Sequence, residues 1–206
     1  MNQLPTNVNL ASAEERHGGI LSLIASDVIR YAQQAQAFQG HKPGLLRQTS
    51  ILLTPSLICC ALYRLAHALH TRGSIRLGRA VARANLVFSR ALIEPSARIG
   101  PGLYVPHPPG IVFRGSAGRN LTLYTKAIVG PLGAPAFGAA LDICPRLGDD
   151  VTLGVNVVVA GRVVVGSRVQ MGPGVTILRS VPSDVAIIAP YMHARGARSA
   201  AMRVAP

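Results

Sequence analysis

Aliphatic residues recur along this chain with two different periods. Residues 20–39 (ILSLIASDVIRYAQQAQAFQ) have helical spacing, and the Gly- and Pro-containing stretch 40–44 (GHKPG) interrupts it. A second helical stretch is predicted over about residues 55–72, with Leu62, Leu65 and Leu69 at i, i+3 and i+7 on one apolar face. Gly73 ends it, and an Arg-rich third stretch runs over about residues 75–91. Residues 1–91 therefore read as an N-terminal helical region behind a polar start.

The period then changes to six. Leu147, Leu153, Val159, Val165, Met171 and Ile177 are each six apart, and Gly148, Gly154, Ala160, Gly166 and Gly172 follow five of them. A second aliphatic series, Val151, Val157, Val163, Val169 and Val175, runs four residues behind the first. A shorter array precedes these, with Ile93, Ile99, Val105 and Ile111, and Gly100 after Ile99. Six is neither the helical nor the simple strand period; it marks a hexapeptide β-helix. Each hexapeptide makes one short flat side and one turn, and three close a triangular coil. The aliphatic residue points inward, and the next is small because the turn packs tightly. One coil leaves its faces open, so neighbouring coils must stack. The expected class is α+β: an N-terminal helical region followed by a left-handed parallel β-helix over residues 92–190, then a tail, 191–206. Residues 130–144 (GPLGAPAFGAALDIC) break the period and read as a loop ejected from the prism, a usual location for function in repeat proteins.

Composition narrows the partners. The 206 residues are 49% hydrophobic but only 4% aromatic, with no Trp, so Val, Ile, Leu and Ala must fill a narrow core. A net charge of +13 is compatible with nucleic acid, a membrane surface or another polyanion. The few aromatic residues are not interleaved with the arginines, so no platform for stacking bases is evident, and nucleic acid is not an expected partner. Three cysteines, Cys59, Cys60 and Cys144, two of them adjacent, fit a reducing, cytoplasmic setting. The N-terminal residues lack the pattern of a signal peptide. The apolar run 51–63 contains Pro55, stops at Arg64 and falls short of the ~20 residues that span a bilayer. No stable membrane insertion is expected.

Over about residues 55–196 the sequence resembles the serine O-acetyltransferase family, within the left-handed β-helix acyltransferases. The stretches LYRLAHALHTRG, IEPSARIGPGLYVPHPPGIV and CPRLGDDVTLGVNVVVAGRVVVGSRVQMGPGVTILRSVPSD carry the likeness. The resemblance implies acetyl-CoA as co-substrate, no metal, a small-molecule acceptor and a homotrimer. It also implies a catalytic base. The family has Asp-His before an x-x-Gly-Ile-Val run, and His107 matches that histidine, followed by Pro108, Pro109, Gly110, Ile111 and Val112. The acceptor-contacting Asp is Pro106 here. The Asp that orients the base corresponds to Leu92, and a second, serine-holding His corresponds to Cys144 in CPRL. The likeness thus implies a retained acyl-CoA half and an altered acceptor pocket.

The chemistry needs little apparatus. A thioester is already activated, so the enzyme must deprotonate the attacking hydroxyl or amine and stabilise the tetrahedral oxyanion. A histidine can take that proton at neutral pH. No nucleophilic residue is required, which points to direct transfer in a ternary complex. Glu94 is either a substitute for the carboxylate missing at Leu92 or a solvated turn residue, and Asp142 is a second candidate. Cys144 lines the acceptor pocket, packs inertly, or acts as a nucleophile if nearby positive charge such as Arg146 lowers its pKa. The family likeness places the CoA arm along small turn residues, here Gly154, Val155, Gly172 and Pro173, although Pro173 has no N–H to donate. Arg162, Arg168 and Arg179 either meet phosphates or are solvated surface charge. His67 and His70 lie three apart on a helix without a further ligand pair, so no metal is expected. Cys59 and Cys60 read as buried apolar filling. Two function classes stay open: an acetyltransferase, favoured by His107, and a non-catalytic β-helix scaffold, favoured by the replaced Asp and His residues.

Overall fold

A computed structural model describes residues 19–39, 54–133 and 141–189. The polar start, the interruption at 40–44, residues 134–140 of the ejected loop and the tail lie outside the described residues. The six-residue repeat winds into a left-handed parallel β-helix whose three flat sides are parallel sheets. Side I contains β1 (Leu92–Ile93), β3 (Val112–Phe113), β6 (Ile128–Gly130), β9 (Val158–Ala160) and β12 (Thr176–Ile177). Side II contains β2 (Arg98–Ile99), β4 (Ser116–Ala117), β7 (Arg146–Leu147) and β10 (Val164–Val165). Side III contains β5 (Thr122–Leu123), β8 (Thr152–Leu153), β11 (Gln170–Met171) and β13 (Ala186–Ile187), with Tyr104 bridging to Thr122 above them.

Both aliphatic series point inward. Leu147, Leu153, Val159 and Val165 are fully buried, and Val151, Val157 and Val169 are equally enclosed. The small residue after each inward one has a direct cause: a Cβ on Gly154 would lie 2.6 Å from the carbonyl oxygen of Met171 in the next coil. The core also runs through Phe113, Ala117, Leu123 and Val129, a stretch the sequence count did not assign to an array. Ile111 is buried, but the strand register pairs Ile93 with Phe113, so Phe113 takes the inward strand position expected of Ile111.

Three helices precede the prism: α1 (Ile20–Gln39), α2 (Pro55–Thr71) and α3 (Ile75–Ser89). The expected Leu62, Leu65 and Leu69 stripe on α2 is not the packed one. Leu65 is 42% exposed, whereas Ser56, Cys59, Cys60, Tyr63, Arg64 and Ala66 are buried. The reason is what α2 packs against. The first coil of a β-helix has an open edge of backbone groups that must find partners. Ser56 donates to the Pro106 carbonyl at 2.9 Å and Tyr63 to that of Ala97 at 2.9 Å. Arg64 donates to the carbonyls of Ile99 at 2.6 Å and Gly100 at 2.7 Å. A purely apolar stripe would leave these carbonyls unsatisfied.

Arg64 also pairs with Asp27 of α1, both side chains 1% exposed, through two hydrogen bonds of 2.9 and 3.0 Å. Asp27 accepts in turn from the Leu103 N–H at 2.7 Å. Burial alone would lower the Arg64 pKa, but the Asp27 carboxylate more than offsets it and holds the guanidinium charged. One buried network thus ties α1, α2 and the first coil together, and Ser56 at the start of the same α2 separately holds the carbonyl of Pro106, the residue before His107.

Candidate functional site

His107 occupies the corner between sides III and I. The step from Tyr104 to Val112 spans eight positions, whereas the equivalent step from Thr122 to Ile128 in the next coil spans six. The two extra residues push the turn out of the corner. His107 is exposed, and its carbonyl accepts from the Thr125 hydroxyl one coil on at 3.0 Å. The turn is held from both sides, by Ser56 on Pro106 and by Thr125 on His107.

A groove of about 350 Å³ runs along side III towards that same corner. Gly154, Val155, Gly172 and Pro173 line it, with Tyr124 and Ile187 among its walls. The four turn residues suggested for the CoA arm are therefore gathered in one groove, along the edge that carries His107. Arg179 is not among them: it follows β12 at the corner between sides I and II. Arg162 also sits at that corner, and Arg168, at the corner between sides II and III, is bound to Asp184.

The acceptor-side candidates gather elsewhere. Glu94, Cys144 and Asp142 lie at the corner between sides I and II, beside Arg114, which the sequence reading missed. Glu94 is buried and Arg114 approaches it to 3.0 Å, an ion pair whose Nε and Oε2 are out of line for a hydrogen bond between them. The solvated reading of Glu94 is thus replaced by a paired, buried carboxylate. Glu94 cannot orient His107 within one chain, because the two lie at opposite ends of side I. A signal for Arg114 was present: the step from Val112 to Ser116 spans four positions where that from Leu92 to Arg98 spans six, so Arg114 and Gly115 stand in a shortened corner. A Cβ on Gly115 would lie 2.5 Å from the Pro145 carbonyl oxygen, so this close approach brings the end of the ejected loop, and Cys144 with it, against Arg114. Arg146 is exposed on the outer surface of side II, and Asp142 is exposed in a 3-10 turn (Leu141–Ile143).

Burial raises the Cys144 pKa; Arg114 opposes this, and the negative charges of Glu94 and Asp142 reinforce it. The net upward direction disfavours a thiolate nucleophile. Cys59 is pushed up to about 11, and Cys60 well above the ordinary range, by burial. All three thiols should therefore alkylate slowly with iodoacetamide at pH 7, and rapid labelling of Cys144 in the folded protein would contradict this electrostatic picture. His67 Nδ1 is 2.8 Å from the Pro95 carbonyl oxygen, and no cluster of three metal-ligating side chains is gathered among the described residues. No helix among them is long and apolar enough to cross a membrane.

The family model described as bacterial transferase hexapeptide (six repeats) matches residues 145–179. Serine acetyltransferase from Helicobacter pylori is 32% identical over 135 residues, covering 65% of this chain and 77% of that protein. The chain belongs to the serine acetyltransferase family. Serine acetyltransferase 4 of Arabidopsis thaliana is 31% identical over 169 residues, covering 80% of this chain and 44% of the plant protein. Among solved structures, native serine acetyltransferase 1 from Entamoeba histolytica superposes with a TM-score of 0.71 at 26% identity, over 82% of this chain and 62% of that one. The soybean serine acetyltransferase complexed with serine matches the fold with a TM-score of 0.71 at 23% identity, over 84% of this chain and 68% of its own. The chain thus spans about three fifths of the Entamoeba structure.

Proposed function

We propose that this chain transfers an acetyl group from acetyl-CoA to a hydroxyl or amine of a small acceptor, with His107 as general base and an acceptor pocket altered from that of its serine acetyltransferase relatives. The observation that carries the reading is the projecting His107 turn on the same edge as the groove lined by Gly154, Val155, Gly172 and Pro173. A thioester lying in that groove would present its carbonyl carbon towards the turn. His107 takes the proton of the acceptor as its oxygen or nitrogen attacks that carbon. The tetrahedral intermediate then collapses, the C–S bond breaks, and the departing thiolate takes the proton back from the imidazolium. No covalent enzyme intermediate is formed, in keeping with the raised Cys144 pKa.

We further propose a homotrimer with the site between subunits. Side I presents Leu92, Val112, Ile128 and Val158 outward before Thr176, whereas side II presents Arg98, Ser116 and Arg146 at equivalent positions before Val164. An apolar sheet face of this kind is stabilised by being covered. Side I is bounded by the His107 corner on one edge and the Cys144 corner on the other. A head-to-tail contact that closes into a ring would bring the His107 edge of one subunit to the Cys144 edge of the next. That the three cysteines form no disulfide is consistent with a reducing compartment such as the cytoplasm.

The test is thiol release from acetyl-CoA by full-length protein with a panel of small hydroxyl and amine acceptors, alongside light scattering. We expect a trimer that turns over at least one acceptor and uses free serine poorly. Pro106, Leu92 and Cys144 cannot supply the charge-assisted hydrogen bonds of two Asp and one His, each typically ~1.5–3 kcal/mol. Robust serine acetylation would show that these replacements do not alter the pocket. Binding of acetyl-CoA without turnover of any acceptor would favour a non-catalytic scaffold.

A further inference from the structure

Resting on the acetyl-transfer reading, a second residue beside the His107 turn points to the chemical class of the acceptor. The corner between sides III and I repeats in register down the prism, and Arg90, Gly110, Lys126, Asn156 and Gly174 occupy equivalent positions in successive coils. All five have positive φ: 53°, 81°, 60°, 60° and 73°. Gly and Asn adopt this left-handed conformation readily, whereas a side chain such as lysine does so at a cost. Lysine stands there only in the coil next to His107. Its backbone N–H donates to the Pro109 carbonyl at 3.2 Å, and its stem lies over Gly110, where a Cβ would meet Lys126 Cγ at 2.9 Å. Lys126 is one of two lysines in the chain and is exposed.

The charges around it are one-sided. The described residues of this corner, 90, 106–110, 124–126, 154–156 and 172–174, include no carboxylate, and Arg90, whose carbonyl accepts from the Gly110 N–H at 2.8 Å, His107 and Lys126 are its side chains able to carry positive charge. The corner between sides II and III is built differently, with Arg119 paired to Asp149 and Arg168 to Asp184. Among the described residues no acid pairs with Lys126. Lys126 lies between His107 and the groove residues. The thioester end of a CoA that reaches His107 carries no anion, its phosphates lying at the far end of the groove, so an anion at Lys126 would come from the acceptor.

We propose that Lys126 binds a carboxylate on the acceptor, and that the acceptor is a hydroxyl-bearing carboxylate without a free ammonium group. The ammonium donates to the carboxylate while His107 takes the hydroxyl proton. A free ammonium on the acceptor would face a cationic edge with no counter-charge.

The experiment is calorimetric titration of full-length protein, saturated with CoA as a dead-end complex, with glycerate, serine and serinamide, for wild type, Lys126→Met and Lys126→Arg. The expected order of affinity is glycerate, then serine, then serinamide. Lys126→Met should weaken glycerate about 10-fold, the scale of one charge-assisted hydrogen bond, and leave serinamide unchanged. Lys126→Arg should restore most of the loss. Serinamide binding as well as glycerate, no glycerate binding to wild type, or an unaffected Met variant would overturn the proposal. So would a change of oligomeric mass in Lys126→Met, which would assign the lysine to a subunit contact. Thiol release measured in parallel separates the two readings. The expected binding pattern without release overturns acetyl transfer alone, and release that is indifferent to Lys126 overturns only the acceptor class.

Discussion

Replacing His107 by alanine is expected to lower acetyl-CoA turnover by about 10²–10⁴-fold, the usual contribution of a positioned general base and the role proposed for this residue. The loss falls mainly in kcat, because the groove residues are untouched and lie one or more coils away along the corner. Stability changes little, since the His107 side chain is exposed and the turn is held through the carbonyls of Pro106 and His107. Cys144→Ala is expected to be milder, because burial and a raised pKa disfavour the thiol as a proton carrier. Steady-state kinetics on the best acceptor, with thermal denaturation in parallel, check all of this. Near-normal turnover by the His107→Ala variant, or a larger loss from Cys144→Ala, would move the chemistry to the other corner.

Asp27→Ala is expected to destabilise the fold by about 3–5 kcal/mol, the range for removing one partner of a buried ion pair. The variant strands the Arg64 guanidinium and leaves the Leu103 N–H without its acceptor. Replacing both residues, Asp27→Ala with Arg64→Met, should cost less than the sum of the two single replacements, because no uncompensated charge remains. Urea denaturation of the set measures it. A single-variant loss below about 1 kcal/mol would mean that the capping network contributes little, surface pairs being worth that much. The helices do not simply decorate the prism: they satisfy the open edge of its first coil and hold the carbonyl next to the His107 turn.

The repeat from Leu147 to Ile177 was readable because every corner there keeps the same length, so counting by six stays in phase. The first two coils were harder. Two residues are added at the His107 corner and two are removed at Arg114, so the count passes through Ile111 and regains phase at Ala117 although the strand position belongs to Phe113. These two irregular corners are also where the candidate site residues stand. A perfect repeat yields a flat edge, and departures from it project or enclose a side chain. The buried face of α2 was misread for a different reason. Helical periodicity scores leucines, whereas the surface to be covered is a row of backbone carbonyls that needs Ser, Tyr and Arg. The Glu94 pairing depends on Arg114, one coil on, a contact made by the register between coils rather than by proximity in sequence.

The central claim, direct transfer from acetyl-CoA with His107 as base, is tested most directly by following a radiolabelled acetyl group through a single turnover with enzyme in excess. The account predicts that label moves from CoA to the acceptor without passing through the protein, and that the His107→Ala variant slows this step about 10²–10⁴-fold. Label accumulating on the protein before the acceptor is added, or transfer at an unchanged rate in the variant, would contradict it.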